Sequence, residues 1–154
     1  MSLSEFELSL LDALLSGDHP ELATLREQFE VADVTGREVT ETGFKTFFKV
    51  KPGAPKVEDL DAIDDLQLDL AGAKTPADAV LHIKGGRLQS LECYVYDGTF
   101  PADPEITAAW YYGTEKFPGI TDELIEARDV AGAVDDEGGQ GDEDEGDDIG
   151  DEVS

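Results

Sequence analysis

The stretch Ala79-Val80-Leu81-His82-Ile83-Lys84-Gly85-Gly86-Arg87-Leu88-Gln89-Ser90-Leu91-Glu92-Cys93-Tyr94-Val95-Tyr96 decides the fold. Two runs rich in aliphatic and aromatic residues flank Gly85-Gly86. A type I′ turn needs positive φ at both central residues, which glycine adopts without a Cβ clash. The stretch therefore reads as a two-residue β-hairpin. Its expected register pairs Ile83 with Leu88, Leu81 with Ser90 and Val80 with Leu91. It also sets His82 opposite Gln89, on the face that carries Cys93.

Working outward, the same period of two recurs on both sides. Phe44, Thr46, Phe48 and Val50 share one face of an expected strand, with Lys45, Phe47, Lys49 and Lys51 on the other. Pro52-Gly53-Ala54-Pro55 ends that strand, and Leu66, Leu68 and Leu70 alternate with Gln67 and Asp69 in another. Glu38 to Thr42 is β-prone and Gly43 reads as a turn or bulge, while Val57 to Asp65 stays open between strand, short helix and loop. Asp97-Gly98 turns, Pro101 and Pro104 mark a loop, and Thr107 to Tyr112 forms a last strand. Residues 117–128 suggest a peripheral helix capped by Thr121, with Leu124 and Ile125 on one side.

The first thirty residues have the helical period instead. Leu3, Phe6, Leu10 and Leu14 form a stripe that Leu8, Leu11 and Leu15 widen. Ser4 with Glu7 fits a capping box, as does Ser2 with Glu5. Gly17 suits the position after the helix; Asp18 suits the next N-cap, with Pro20 in the first turn and Leu22, Leu25 and Phe29 as the second stripe. A connection this short sets the two helices antiparallel. The fold class is α+β: an N-terminal antiparallel helical hairpin packed on a mainly antiparallel β-meander of about five or six strands. Residues 1–130 are expected to be a single domain and 131–154 an acidic, disordered tail, because a segment so charged buries too little apolar surface to offset ordering it.

Charge is the loudest feature. The net charge is −26, from 37 acidic and 11 basic residues. Eleven of the acids lie in Asp135–Ser154, so the remaining 26 leave the rest of the chain near −15. Nucleic-acid backbones and anionic membranes would repel such a surface. A basic protein partner, a cation or a high-salt surrounding fits it, and oligomeric state is not legible in it. The single cysteine excludes an internal disulfide, and the first residues lack a signal peptide's basic start and apolar run. A cytoplasmic location is the expectation.

Catalytic and cofactor signatures are sparse, and no cofactor is expected. A cysteine nucleophile needs a base within hydrogen-bond reach, but the expected register holds His82 about 13 Å along the strand from Cys93. Cys93 therefore reads as a small buried apolar residue, and His19 as a capping or solvated group. His19, His82 and Cys93 have no zinc-ligand spacing. Asp142 to Gly146 invites comparison with a calcium loop but puts Gly146 where a ligand belongs. Gly85-Gly86 lacks the helix and lysine of a phosphate loop. Glu92 stands out, because it shares an otherwise aromatic strand face with Tyr94 and Tyr96, and it reads as a general base, an anchor for a cation or a strand-edge group reaching water. Arg37, one of four arginines, is its expected partner by scarcity alone. Phe47, Tyr94, Tyr96, Trp110, Tyr111 and Tyr112 exceed what one small sheet face needs. Either some are exposed for a protein contact, or residues 113–130 cover the second face, the reading slightly preferred.

Gly17-Asp18-His19-Pro20-Glu21-Leu22-Ala23-Thr24-Leu25-Arg26, Arg37-Glu38 with Gly43-Phe44, and Leu91-Glu92-Cys93-Tyr94-Val95-Tyr96-Asp97 resemble small uncharacterised bacterial proteins over roughly residues 5 to 112. That resemblance implies a prokaryotic protein and carries no activity or site. Three functional readings follow. The leading one is a non-enzymatic acidic interaction module, of inhibitor or immunity type, binding a basic partner through Glu92, Tyr94, Tyr96, Arg37 and Trp110. The second is a salt-adapted housekeeping protein, and the third a small-ligand binding protein or enzyme using the sheet face around Glu92.

Overall fold

The computed structural model describes residues 2–134. In chain order it has helices α1 (Glu5–Leu15) and α2 (Pro20–Glu30) and strands β1 (Ala32–Val39), β2 (Gly43–Val50), β3 (Ala62–Leu70), β4 (Ala77–Lys84), β5 (Arg87–Val95) and β6 (Ile106–Tyr111). Helices α3 (Asp122–Ala127) and α4 (Val130–Ala133) follow. The fold is α+β, as the patterning implies. Six strands form one sheet in the order β1-β2-β5-β4-β3-β6, and every neighbouring pair is antiparallel. This is not a sequential meander, because β5 returns to pair with β2 and β6 crosses to the far edge of β3.

Local chemistry places the helix ends. Ser4 caps α1 through a full capping box: its hydroxyl accepts from Glu7 N (3.1 Å) and Glu7 Oε1 accepts from Ser4 N (2.8 Å). α2 is capped by His19 rather than Asp18. The His19 Nδ1 accepts from Glu21 N, with Pro20 at the first helical position, so the imidazole supplies the acceptor that the helix start needs. Leu10, Leu11 and Leu14 of α1 and Leu22 and Leu25 of α2 bury against Ile63, Leu66, Leu68, Leu81, Leu91 and Tyr111 of the sheet. Leu124 of α3 is fully buried too, so this helix belongs to the core and is not peripheral. The domain boundary expected at residue 130 falls inside α4, and Val134 is buried. The expected tail otherwise lies outside the described residues.

Gly85 and Gly86 take φ of +62° and +80°, as the hairpin turn requires. The register beyond the turn differs from expectation. Ile83 faces Leu88, but a bulge then absorbs Gln89, so His82 faces Ser90, Leu81 faces Leu91 and Val80 faces Glu92. One extra residue moves every later β5 side chain to the opposite face. Cys93 thereby lies under the helices, fully buried, while His82 lies on the other face. Burial pushes the Cys93 thiol well above its ordinary pKa, with the charges of Asp78 and Glu92 adding to the rise. Gly43 is not a turn but the first residue of β2, where a Cβ would clash with the Cys93 carbonyl oxygen.

Three buried polar groups tie the elements together. Glu7, only 2% exposed, receives Arg37 Nε (3.0 Å) and Nη2 (2.7 Å) and the Thr46 hydroxyl. Gln28 of α2 donates to Pro55 O and Gly86 O and accepts from Leu88 N. Arg128 forks onto Asp65 and donates to the last carbonyls of α1. Burial alone would raise the Glu7 pKa, but hydrogen bonds from Arg37, Ser4 and Thr46 and the guanidinium charge outweigh it and hold it below its ordinary 4.5. A carboxyl with a lowered folded pKa contributes stability above its unfolded pKa, and that contribution fades as pH falls through the folded value. Melting temperatures taken downward from pH 4.5 are therefore expected to fall less steeply for Glu7→Gln than for the parent chain. An unchanged slope would remove Glu7 from the acid transition.

Candidate functional site

The helices all lie on one side of the sheet. Arg128, which ends α3, reaches the carbonyls of Ala13 and Leu14 in α1 and of its C-cap Ser16. A Cβ on Gly17 would meet Val130 of α4. Residues 121–134 thus join α1 and α2, so most of the segment 113–130 expected to cover the second face does not; Lys116 reaches that face at its β6 edge. That second face is open, with Tyr96 65% and Tyr112 55% exposed.

The alternation of each strand decides what the open face presents. In β5 it is Ser90, Glu92 and Tyr94; in β4, Asp78, Val80 and His82; in β3, Gln67; and in β6, Trp110. Register aligns Trp110 with Gln67, Gln67 with Asp78, and Asp78 with Tyr94. The side chains then bond along that row. Trp110 Nε1 donates to Gln67 Oε1 (2.9 Å) and Gln67 Nε2 donates to Asp78 Oδ1 (2.7 Å). The hydroxyls of Tyr96 and Tyr94 both turn to Asp78 Oδ2, the latter at 3.5 Å, and their rings meet edge to face at 5.3 Å. Asp78 is 6% exposed and, among the described residues, has dipolar donors but no cation within ion-pair distance. Hydrogen bonds satisfy its oxygens without cancelling its charge.

More charge gathers beside it. Desolvation raises the Asp64 carboxyl pKa, with the charges of Asp65 and Asp78 adding to the rise, and a backbone hydrogen bond and His82 oppose it. Tyr112 is raised by burial and by the charges of Asp64 and Asp78, and Tyr96 by its hydrogen bond to Asp78. His82 Nε2 lies 2.8 Å from Glu92 Oε1. Glu92 and Tyr94 also line a hollow of about 270 Å³ with Lys45, Gly43 and Thr42. At the β6 end, Lys116 pairs with Asp69 (3.0 Å) and stands 4.6 Å over the Trp110 ring.

Four of the five expected site residues thus share one face: Glu92, Tyr94, Tyr96 and Trp110. Arg37 does not. It lies on the helix side and pairs with Glu7, not Glu92, below a groove of about 810 Å³ walled by Leu3, Phe6, Phe44 and Phe100. The partner of Glu92 is His82. Sequence reading missed Asp78, Gln67 and Asp64; the only signal for Asp78 is a lone carboxylate at an alternating position in Ala77-Asp78-Ala79-Val80. Among the described residues no helix is long and apolar enough to cross a membrane. No protein-family model, curated protein or solved structure matches the chain.

Proposed function

We propose that the protein is a non-enzymatic interaction module that docks a basic segment of a protein partner on the open sheet face. One observation carries the reading: the buried, cation-free carboxylate of Asp78 sits behind exposed Tyr96 and beside Tyr94, and Gln67 links it to Trp110. An arginine or lysine head laid over these rings would gain a cation–π contact and a desolvated charge partner together. Total charge does not carry the reading, because acid is also spread over the exposed faces of α1 and α2 (Glu5, Asp12, Glu27). That spread suits salt adaptation equally well, and toward a basic partner it speeds encounter.

The test titrates the full chain with an arginine-rich peptide and follows the fluorescence of Trp110, the single tryptophan. Saturable binding is expected, and the double change Tyr96→Ala, Tyr112→Ala is expected to weaken it at least about tenfold, or 1.4 kcal/mol. Binding that responds to salt but ignores both tyrosines would reduce the interaction to polyanion attraction and sink the proposal.

The His82–Glu92 pair beside the 270 Å³ hollow favours a second reading, a small-ligand or acid–base site. Under that reading, small molecules would perturb the amides of Lys45, Glu92 and Tyr94 and leave those of Tyr96 and Tyr112 still.

A further inference from the structure

The bulge that reorients β5 also opens a cleft. The β2–β5 ladder runs from Gly43–Tyr94 only as far as Phe47–Ser90. Beyond it, Phe48 and Lys49 separate from Leu88 and Arg87, leaving a cleft of about 390 Å³ between the strand ends. Three cationic side chains line it: Lys49, Lys84 and Arg87. None makes an ion pair among the described residues, although the chain carries 37 acidic residues. Asp33 is the cross-strand neighbour of Lys49, yet no ion pair forms between them. The Nε of Arg87 is buried with no hydrogen-bond partner among the described residues. A charged donor left without an acceptor costs more than a neutral one, and the three unpaired cations give the cleft a positive potential. Lys56 adds a further cation nearby, its side chain packed against Gly86 at the hairpin tip.

We propose that this cleft is an anion-binding site occupied by the chain's own acidic segment, Asp135–Ser154. The segment has eleven acidic residues and no lysine or arginine, so its charge complements the cleft. Reach is sufficient: twenty extended residues span up to roughly 66 Å. Six strands at about 4.8 Å spacing and nine residues at about 3.3 Å rise make a sheet with a diagonal of only about 40 Å. A tether also selects this occupant over a free anion. The rest of the chain, near −15, repels dissolved phosphate and the segment alike at long range, but the covalently attached segment is held at an effective concentration on the order of millimolar.

The experiment places a nitroxide on Gly146→Cys in the full chain. The native Cys93 is fully buried, so labelling goes to the new thiol. Amide signals of Lys49 and of residues 84–88 are expected to broaden, and to recover in about 1 M salt, where the screening length falls to ~3 Å. In the labelled double variant Lys49→Gln, Arg87→Gln the broadening is expected to drop at least twofold at low salt. Broadening that is absent, lies elsewhere on the fold or survives both changes would overturn the proposal. Inorganic phosphate added to the unlabelled chain distinguishes the source: phosphate that moves the cleft amides while the nitroxide leaves them sharp makes this a free-anion site and overturns the tail as occupant.

Discussion

Arg128→Met is expected to cost about 3–5 kcal/mol of folding stability, the usual penalty for stranding one half of a buried ion pair. The side chain is fully buried. Its Nε and Nη2 donate to the Asp65 carboxylate (2.9 and 2.8 Å), and its Nη1 donates to the carbonyls of Ala13, Leu14 and Ser16 (3.1, 3.0 and 2.7 Å). Those carbonyls end α1 and have no intrahelical donor, and a cation there also meets the negative end of the helix dipole. The Tyr111 ring lies 4.8 Å from the guanidinium carbon, and its hydroxyl donates to Ala13 O. One residue thus serves α1, β3, β6 and the start of the C-terminal turn. Urea denaturation checks this, and a loss below about 1 kcal/mol would refute it. Arg128→Lys should recover part of the loss, because an ammonium supplies the charge without the planar fork. Adding Asp65→Leu to Arg128→Met should restore stability relative to Arg128→Met alone, since it removes the stranded carboxylate.

Gln28→Leu is the second large effect, an expected loss of about 2–4 kcal/mol from several buried groups left unpaired at once. The side chain is fully buried. Its amide nitrogen donates to Pro55 O (2.7 Å) and Gly86 O (2.8 Å), and its oxygen accepts from Leu88 N (2.9 Å). Leucine is apolar and of comparable size, so the lost hydrogen bonds dominate the change. The damage should be local, because the bonds join the end of α2 to the hairpin tip and the loop before β3. Hydrogen exchange is expected to accelerate at Leu88 and Val57 well before the middle of the β4–β5 pair, around Leu81 and Leu91, is affected. Uniform acceleration across the sheet would instead mean that Gln28 supports global stability alone.

Both residues show where sequence reading stops. Nothing near Arg128 or Gln28 in the chain marks them, because their partners lie 63 and 60 residues away. The Glu7 carboxylate shows the boundary within one side chain. Its bond to Ser4 N follows from the capping-box spacing, while its pairing with Arg37 across 30 residues does not. Scarcity alone pairs Arg37 with Glu92, but the sheet puts the two on opposite faces. The open face was half legible: Glu92, Tyr94, Tyr96 and Trp110 could be named from alternation, but Asp78, Gln67 and Asp64 gain meaning only when register brings them beside the aromatics.

The hairpin Ala79–Tyr96 divides the two kinds of information. Its turn, its two strands and the pairing of Ile83 with Leu88 follow from Gly85-Gly86 and from alternation, as the helices follow from period and caps; these depend on backbone sterics within a few residues. The bulge at Gln89, the strand order β1-β2-β5-β4-β3-β6 and the return of α3 and α4 to the helical side were decided by tertiary packing. Alternation tells a strand which of its faces is apolar but not which strand will lie beside it, and several orders bury the same leucines. The choice among them belongs to groups distant in sequence, such as Arg128 with Asp65 and Gln28 with Leu88, which find their partners in only one arrangement.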